Sequence, residues 1–377
     1  MLEAKIYNPV KIVFGVGCVR EVGKYASRLG RKALIVTTSG GSMRKHGFLD
    51  IVSKSLEEHG VRCAIFDGVK TNPTTEIADE GTRVALRENV DVIIGLGGGS
   101  AIDVAKAIAV TAASGGSSKE YLYIYGKQPG KALPIIAIPT THGTGSEVDR
   151  YAVLTDEERK AKVSIVSDLI YPRVALLDPK LTVTLPPRLT AATTVDALAH
   201  SLEAYVARYG NRMAQIYAVE AIKEIFGNAV KAYANGKNLE ARARLLWASM
   251  LAGLAINIGR TCLPHALEHP ISAFLGIHHG EGLAALLPTW IKRGLKEKIF
   301  NNLAVELGLK DADELYEKVV SLLKSIGMNV RLGEHGLTED MVEKLVGNAW
   351  TYLTPLIENN PYKVSREETC KMLLNTI

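Results

Sequence analysis

The chain has 377 residues, too many for one compact core, and its length points to two domains of about 150 residues or somewhat more. With 47% hydrophobic and 23% charged residues, it has the makeup of an ordinary globular protein and not of a disordered one. Its 45 basic and 40 acidic residues are interspersed, so the net charge of +5 forms no basic tail and gives no support for nucleic-acid binding.

The N-terminal stretch MLEAKIYNPVKIVFG carries charges too early for the apolar core of a signal peptide. Residues 1–185 then alternate short β-branched runs with helical patterns. The runs KALIVT (Lys32–Thr37), Val61–Phe66, VDVIIGL (Val90–Leu96), LPIIAIP (Leu133–Pro139) and RVALL (Arg173–Leu177) predict strands. Several are nearly continuous apolar runs, as parallel strands covered on both faces require. The intervening patterns predict helices over Phe48–His59, Ile77–Glu88 and Ile102–Ala113. Alternation of this kind implies a doubly wound parallel sheet, with ligands at the carboxyl ends of its strands.

Two loops at such ends carry chemistry. Gly97-Gly98-Gly99-Ser100 directly follows VDVIIGL and opens a helix. Three glycines let the backbone approach an anion, and the helix N-terminus offers free N–H groups, so a pyrophosphate fits there. The spacing is neither G-x-G-x-x-G nor a Walker A loop. The second loop, Pro139-Thr140-Thr141-His142-Gly143-Thr144-Gly145-Ser146-Glu147, offers hydroxyl donors to phosphate or ribose oxygens.

Past Thr184–Pro187 the strand-like runs fade and apolar residues recur at helical spacing, as in Ala214, Tyr217, Ala221 and Ile225. Residues 186–377 therefore read as a helical domain, and the hinge at Pro186–Pro187 predicts a cleft between the halves. The apolar run Leu245–Gly259 is too short to span a bilayer and reads as a core helix. Asp196 and His200 stand four apart in a helical pattern, as do His265 and His269, while His278-His279 follows a short loop. A carboxylate and imidazoles converging from separate helices make a nitrogen–oxygen site for a catalytic divalent metal. The four cysteines are scattered without a CxxC pair, so no disulfide framework is expected and the cytoplasm is the predicted compartment.

The segments GLGGGSAIDVAKAIA, PTTHGTGSEV, DALAHSLEAY and HALEHP…HHG occur in the order and at about the separations found in the iron-containing (group III) alcohol dehydrogenases. The resemblance covers nearly the whole chain. It implies an N-terminal Rossmann-like, dehydroquinate synthase-like α/β domain (1–185) and a helical metal- and substrate-binding domain (186–377). It also implies hydride transfer between a nicotinamide cofactor and a small primary alcohol or aldehyde, or a ketone, in a homo-oligomer that binds neither nucleic acid nor membrane. Carried over by motif, Asp196, His200, His265 and His279 would hold Fe(II), with Zn(II) as the alternative. His279 is preferred to His278 because the family's ligand immediately precedes glycine. His269 matches a position near the substrate and becomes the expected proton relay.

Gly97, Gly98, Gly99, Ser100, Thr140, Thr141 and Thr144 would bind the cofactor, with Asn72 and Lys162 as further contacts. Many relatives end the first strand with an aspartate for the NAD ribose; here Ser39 and Gly40 stand instead, followed by Arg44 and Lys45. That pattern resembles the NADP-using, butanol and propanediol dehydrogenase-like subset, with NAD the second choice. His142 and Asp149-Arg150 replace the family's usual small residues and are expected near the nicotinamide. A related lyase of the dehydroquinate synthase type, or a polyol-phosphate dehydrogenase, is the alternative on this architecture. The residues around His265–His279 are mostly apolar apart from Glu268, which favours an uncharged alcohol.

Overall fold

Apolar runs become parallel strands in the computed structural model, which describes residues 4–377. The strands are β1 (Lys11–Phe14), β2 (Lys32–Thr38), β3 (Arg62–Val69), β4 (Val92–Gly97), β5 (Ile135–Pro139), β6 (Tyr151–Asp156), β7 (Ala161–Val166) and β8 (Val174–Leu177). Six of them form one sheet in the order β1-β8-β5-β4-β2-β3, with every pairing parallel. Strands β4, β5 and β8 are buried along their whole length, which is why they read as unbroken apolar runs. Helices cover the faces, and Ile35, Val52, Leu56, Ile94, Ile136 and Leu176 share one core cluster.

Two departures from the sequence expectation have simple causes. Strand β1 lies at the sheet edge and is nowhere fully buried, so its four residues carry no continuous apolar signal. Strands β6 and β7 pair with each other as a separate antiparallel hairpin, with polar residues interrupting both.

The strand order fixes where a ligand can lie. From β2 the chain crosses to β3 on one side, then returns to β4 on the other, so the direction of winding reverses between β2 and β4. Such a switch point opens a crevice at the carboxyl ends of the flanking strands. Thr38 ends β2 there, just ahead of Ser39 and Gly40, and Gly97 ends β4.

The helix Gly99–Ser114 follows β4 immediately, three residues earlier than its apolar pattern predicts, because extended Gly98 serves as its N-cap. Lys106 in this helix is fully buried. Its ammonium group donates to Asp149 Oδ1 (2.6 Å), Ser146 Oγ (3.1 Å) and the carbonyl oxygens of Asp149 (3.1 Å) and Tyr151 (2.7 Å). Ser146 in turn donates to Asp103 Oδ1 at 2.5 Å. This cluster clamps residues 146–151 to the helix. In it Lys106 occupies the Asp149 carboxylate, and Arg150 next to it donates to Asp168 at 2.9 Å.

The chain forms two compact units. One holds Tyr7–Thr141 with Ser146–Thr184; the other holds Leu185–Ile377 with His142–Gly145 and residues 4–6. In the second unit Pro186 is the N-cap and Pro187 the first residue of the helix Pro187–Val206, where a missing N–H is harmless. The helices Arg212–Ala234, Leu239–Gly259, Leu263–Leu275 and His279–Gly294 follow. Thr190 through Val206 are buried without a break, which makes Pro187–Val206 a central helix. All four cysteines are free thiols, and no single helix among the described residues is long and apolar enough to cross a membrane.

Glu147, beside the Lys106 cluster, is fully buried; burial pushes its carboxyl up to about 7, and nearby Asp149 adds to the rise. Its Oε1 has no hydrogen-bond partner among the described residues. A carboxyl raised by folding favours the folded state in its neutral form, so the cost of ionising it grows as pH climbs from the unfolded value near 4.5 through about 7. Glu147→Gln removes that titration. Its thermal midpoint should gain on that of the parent protein between pH 5 and 8, by about 2 °C or more; a difference independent of pH would contradict this origin.

Candidate metal centre and cofactor loops

The Pro187–Val206 helix places Asp196, His200 and Glu203 at positions i, i+4 and i+7, which share one face. A second helix, Leu263–Leu275, presents His265, Glu268 and His269 at i, i+3 and i+4, and His279 opens a third. Asp196 Oδ1 lies 3.8 Å from His265 Nε2 and 3.5 Å from His279 Nε2. These three residues form one group whose ligand atoms lie within 4.8 Å of one another.

His200 stands next to the group and not within it. Its Nδ1 is 3.6 Å from Asp196 Oδ1 and 3.3 Å from the carbonyl oxygen of Gly143, and its ring stacks on His265 at 4.6 Å between centroids. His269 lies one turn beyond His265, its ring centroid 5.7 Å from that of His279. His278 is the N-cap of the third helix, so His279 and not His278 joins Asp196.

Asp196 and His265 are 3% exposed, yet Asp196 Oδ1 and His265 Nε2 have no hydrogen-bond partner among the described residues. Gaps of 3.5–3.8 Å are too long for hydrogen bonds, but they suit oxygen and nitrogen atoms that each bind one cation at about 2.0–2.2 Å. One carboxylate with imidazoles is a donor set for iron or zinc, so the residues fit such an ion. Burial alone would raise the Asp196 carboxyl, but His200, His279 and His265 outweigh it and hold it well below the usual carboxylate range. Burial likewise works against a charged His265, but Glu203 and Asp196 prevail and lift its pKa to about 9.

Two carboxylates stand behind the histidines. His265 Nδ1 meets Glu203 Oε1 at 2.6 Å, and His279 Nδ1 meets Glu268 Oε2; both carboxylates are fully buried. Glu268, the one acid in the apolar stretch around His265–His279, is thus hydrogen-bonded to a histidine. Sequence reasoning missed Glu203. The signal was present, since residue 203 falls on the same helical face as 196 and 200.

His142 also departs from expectation. It is fully enclosed, its Nε2 3.3 Å from both Thr190 O and Thr194 Oγ1, and burial with Arg242 nearby pulls its pKa down to about 3. A neutral ring without exposure packs a core and cannot touch a nicotinamide.

Most of the residues expected to bind the cofactor lie within the sheet unit. Gly97 has φ 154°, and a Cβ there would meet Ala101 Cβ at 2.8 Å; one on Gly98 would meet Thr141 Cγ2 at 3.1 Å. Thr140 donates its N–H to Gly97 O at 2.9 Å. Gly97–Ser100 and Thr140–Thr141 are thus brought together, as neighbouring strands β4 and β5 require. Thr144 belongs to the other unit. Lys162 Nζ donates to Asn72 Oδ1 at 3.1 Å, because the β6–β7 hairpin bridges to the Asn72 loop through Thr155 and Thr74. Ser39 and Gly40 follow β2, with Arg44 and Lys45 exposed beyond them.

Comparison with known proteins agrees with this fold. The family described as iron-containing alcohol dehydrogenase matches residues 9–179, and its C-terminal counterpart matches residues 190–377. The NAD-dependent methanol dehydrogenase of Bacillus methanolicus is 34% identical over 98% of this chain and 99% of its own. The 1,3-propanediol dehydrogenase of Klebsiella pneumoniae is 36% identical over 85% of each chain. Among solved structures, an archaeal halo-thermophilic alcohol dehydrogenase from a Red Sea brine pool superposes with a TM-score of 0.95 at 31% identity, covering both chains completely. The NADH-dependent butanol dehydrogenase A of Thermotoga maritima gives 0.91 at 31% identity, over 100% of this chain and 99% of its own.

The chain therefore belongs to the iron-containing alcohol dehydrogenase family. It is an oxidoreductase of the alcohol dehydrogenase type, acting on alcohols with a nicotinamide cofactor.

Gly280 sets how closely His279 approaches Asp196. A Cβ at 280 would lie 1.9 Å from the carbonyl oxygen of Ala192, four residues before Asp196 on the central helix. Gly280→Ala must push the two helices apart, and overpacking of this kind costs about 1–3 kcal/mol. A lowered thermal midpoint is expected; an unchanged one would show that the helices do not meet there.

Proposed function

We propose that the protein transfers hydride between NADP(H) and a small primary alcohol or aldehyde, using iron held by Asp196, His200, His265 and His279. The observation that carries the proposal is the pair of buried, unpartnered atoms, Asp196 Oδ1 and His265 Nε2, facing each other in a member of this family. Zinc is the alternative ion, because nitrogen and oxygen donors do not separate the two.

Bound there, iron(II) supplies a Lewis acid to the alcohol oxygen, and the nicotinamide ring takes up hydride. The remaining work falls to the chain. Backbone N–H groups of Gly98, Gly99 and Ser100 hold the pyrophosphate at the start of the Gly99–Ser114 helix. Gly97, Thr140 and Thr141 line the same cofactor, and Asn72 and Lys162 add a polar contact. Ser39 and Gly40 accept the ribose 2′-phosphate, with Arg44 and Lys45 offering positive charge. His269, 7% exposed beside His279, accepts the proton released when an alcohol is oxidised, and returns it in the reduction. Apolar surroundings favour an uncharged substrate. We place the enzyme in the cytoplasm, where four unpaired cysteines stay reduced, as a homo-oligomer.

Asp196→Ala and His265→Ala should each lose the metal and the alcohol dehydrogenase activity together, the latter by about 10³-fold or more, since a Lewis acid contributes several kcal/mol. Metal analysis and circular dichroism on the purified variants check this. Retention of one metal per chain with full turnover would contradict the ligand set.

The cofactor preference is tested at Gly40. A Cβ there meets nothing within 4 Å, so Gly40→Asp adds charge without a clash. It should raise the Kd for NADPH roughly tenfold, the effect of about 1.4 kcal/mol of repulsion, and leave that for NADH nearly unchanged. Equal effects on both would overturn the choice of NADP.

A further inference from the structure

A histidine can ligate a cation through Nε2 only when the ring proton sits on Nδ1, and something must hold it there. Both histidines that face Asp196 through Nε2 meet a buried carboxylate at Nδ1. Glu203 reaches His265 from the central helix, one turn beyond His200. Glu268 reaches His279 from the Leu263–Leu275 helix, three residues beyond His265. A carboxylate only accepts, so each Nδ1 donates and each Nε2 is the ring nitrogen that faces Asp196 Oδ1, where a cation would displace any proton it carries.

Each carboxylate is itself fixed by its second oxygen. Glu203 Oε2 accepts the backbone N–H of Cys262 at 2.6 Å, and Glu268 Oε1 accepts the hydroxyl of Ser272. Glu268 also stands in a second group of ligand atoms with His269 and His279. Its two oxygens already accept from His279 and Ser272, so it acts as an acceptor of protons and not as a ligand.

Granted the metal centre proposed above, we propose that Glu203 and Glu268 are its positioning residues: they lock His265 and His279 in the Nδ1–H form and aim Nε2 at a single cation. The two are not equivalent. An amide at 203 must turn its NH₂ either toward the Cys262 N–H, donor against donor, or toward His265 Nδ1, which drives the ring proton to Nε2 and abolishes the ligand. An amide at 268 has an escape. The Ser272 hydroxyl also lies 3.4 Å from Ile277 O, so it can turn to donate there and accept from the amide.

Titration of metal-free protein with Co(II), followed by its visible absorption, reads this directly, together with the thermal midpoint of the same metal-free samples. The parent protein should bind one Co(II) per chain. Glu203→Gln and Glu268→Leu should each weaken binding about 10–100-fold, as loss of a partner behind a ligating histidine does, and Glu268→Gln should do so by less. Metal-free midpoints should change little beside those losses.

Affinity for Co(II) unchanged in both Glu203→Gln and Glu268→Leu, in a parent that binds one equivalent, would overturn the positioning role and leave the metal centre standing. Two equivalents in the parent, with one lost in Glu268→Leu, would make Glu268 a ligand and also overturn it. Absence of binding in the parent would remove the metal centre and the proposal together. Should Glu203→Gln fail to fold, Glu268→Leu carries the same test through His279.

Discussion

The helical unit is organised around a carboxylate placed where none belongs by packing alone. Asp196 sits in the middle of a helix buried for seventeen consecutive residues, and burial works to raise its pKa. A central helix of this kind ordinarily reads as apolar on every side. This one carries Asp196, His200 and Glu203 on one face, each nearly or fully inaccessible. Unpaired buried charge costs several kcal/mol, so such a stripe persists only with compensating partners. Imidazoles supply part of that compensation, and the proposed divalent cation would offset two of the three negative charges of Asp196, Glu203 and Glu268.

The sheet unit obeys a different constraint, that of winding. Because the chain reverses direction between β2 and β4, the Ser39–Gly40 turn and the triple-glycine loop start from neighbouring strands. Thr140 and Thr141 leave β5, the next strand over, and hydrogen bonding from Thr140 to Gly97 fastens the two loops together. The buried Lys106 cluster then secures residues 146–151 to the helix that begins at Gly99, so the helix that follows the triple-glycine loop also anchors the chain after Gly145.

Much of this was legible in the sequence wherever a residue's own chemistry produced a pattern. Strands buried on both faces announce themselves as apolar runs, and Gly97–Gly99 announce a tight strand-to-helix turn. Asp196 with His200, and His265 with His269, announce themselves by a spacing of four. The edge strand β1 and the β6–β7 hairpin gave no such signal, because β1 is half-exposed and polar residues interrupt the mostly buried β6 and β7. Glu203 and Glu268 act through other side chains, and a carboxylate in a helix is ordinarily a surface residue. His142, in contrast, was legible as a histidine inside a functional motif but not as a buried one. Its environment is set by Thr190 and Thr194, about fifty residues away, which local spacing does not reveal.

Crystals of the iron-loaded protein, with anomalous data collected on both sides of the iron absorption edge, test the central claim most directly. One anomalous peak per chain should lie within about 2.0–2.3 Å of Asp196 Oδ1, His265 Nε2 and His279 Nε2, with His200 completing the set. A peak elsewhere, or none in protein shown to contain iron, would contradict a cation held between the central helix and its histidines.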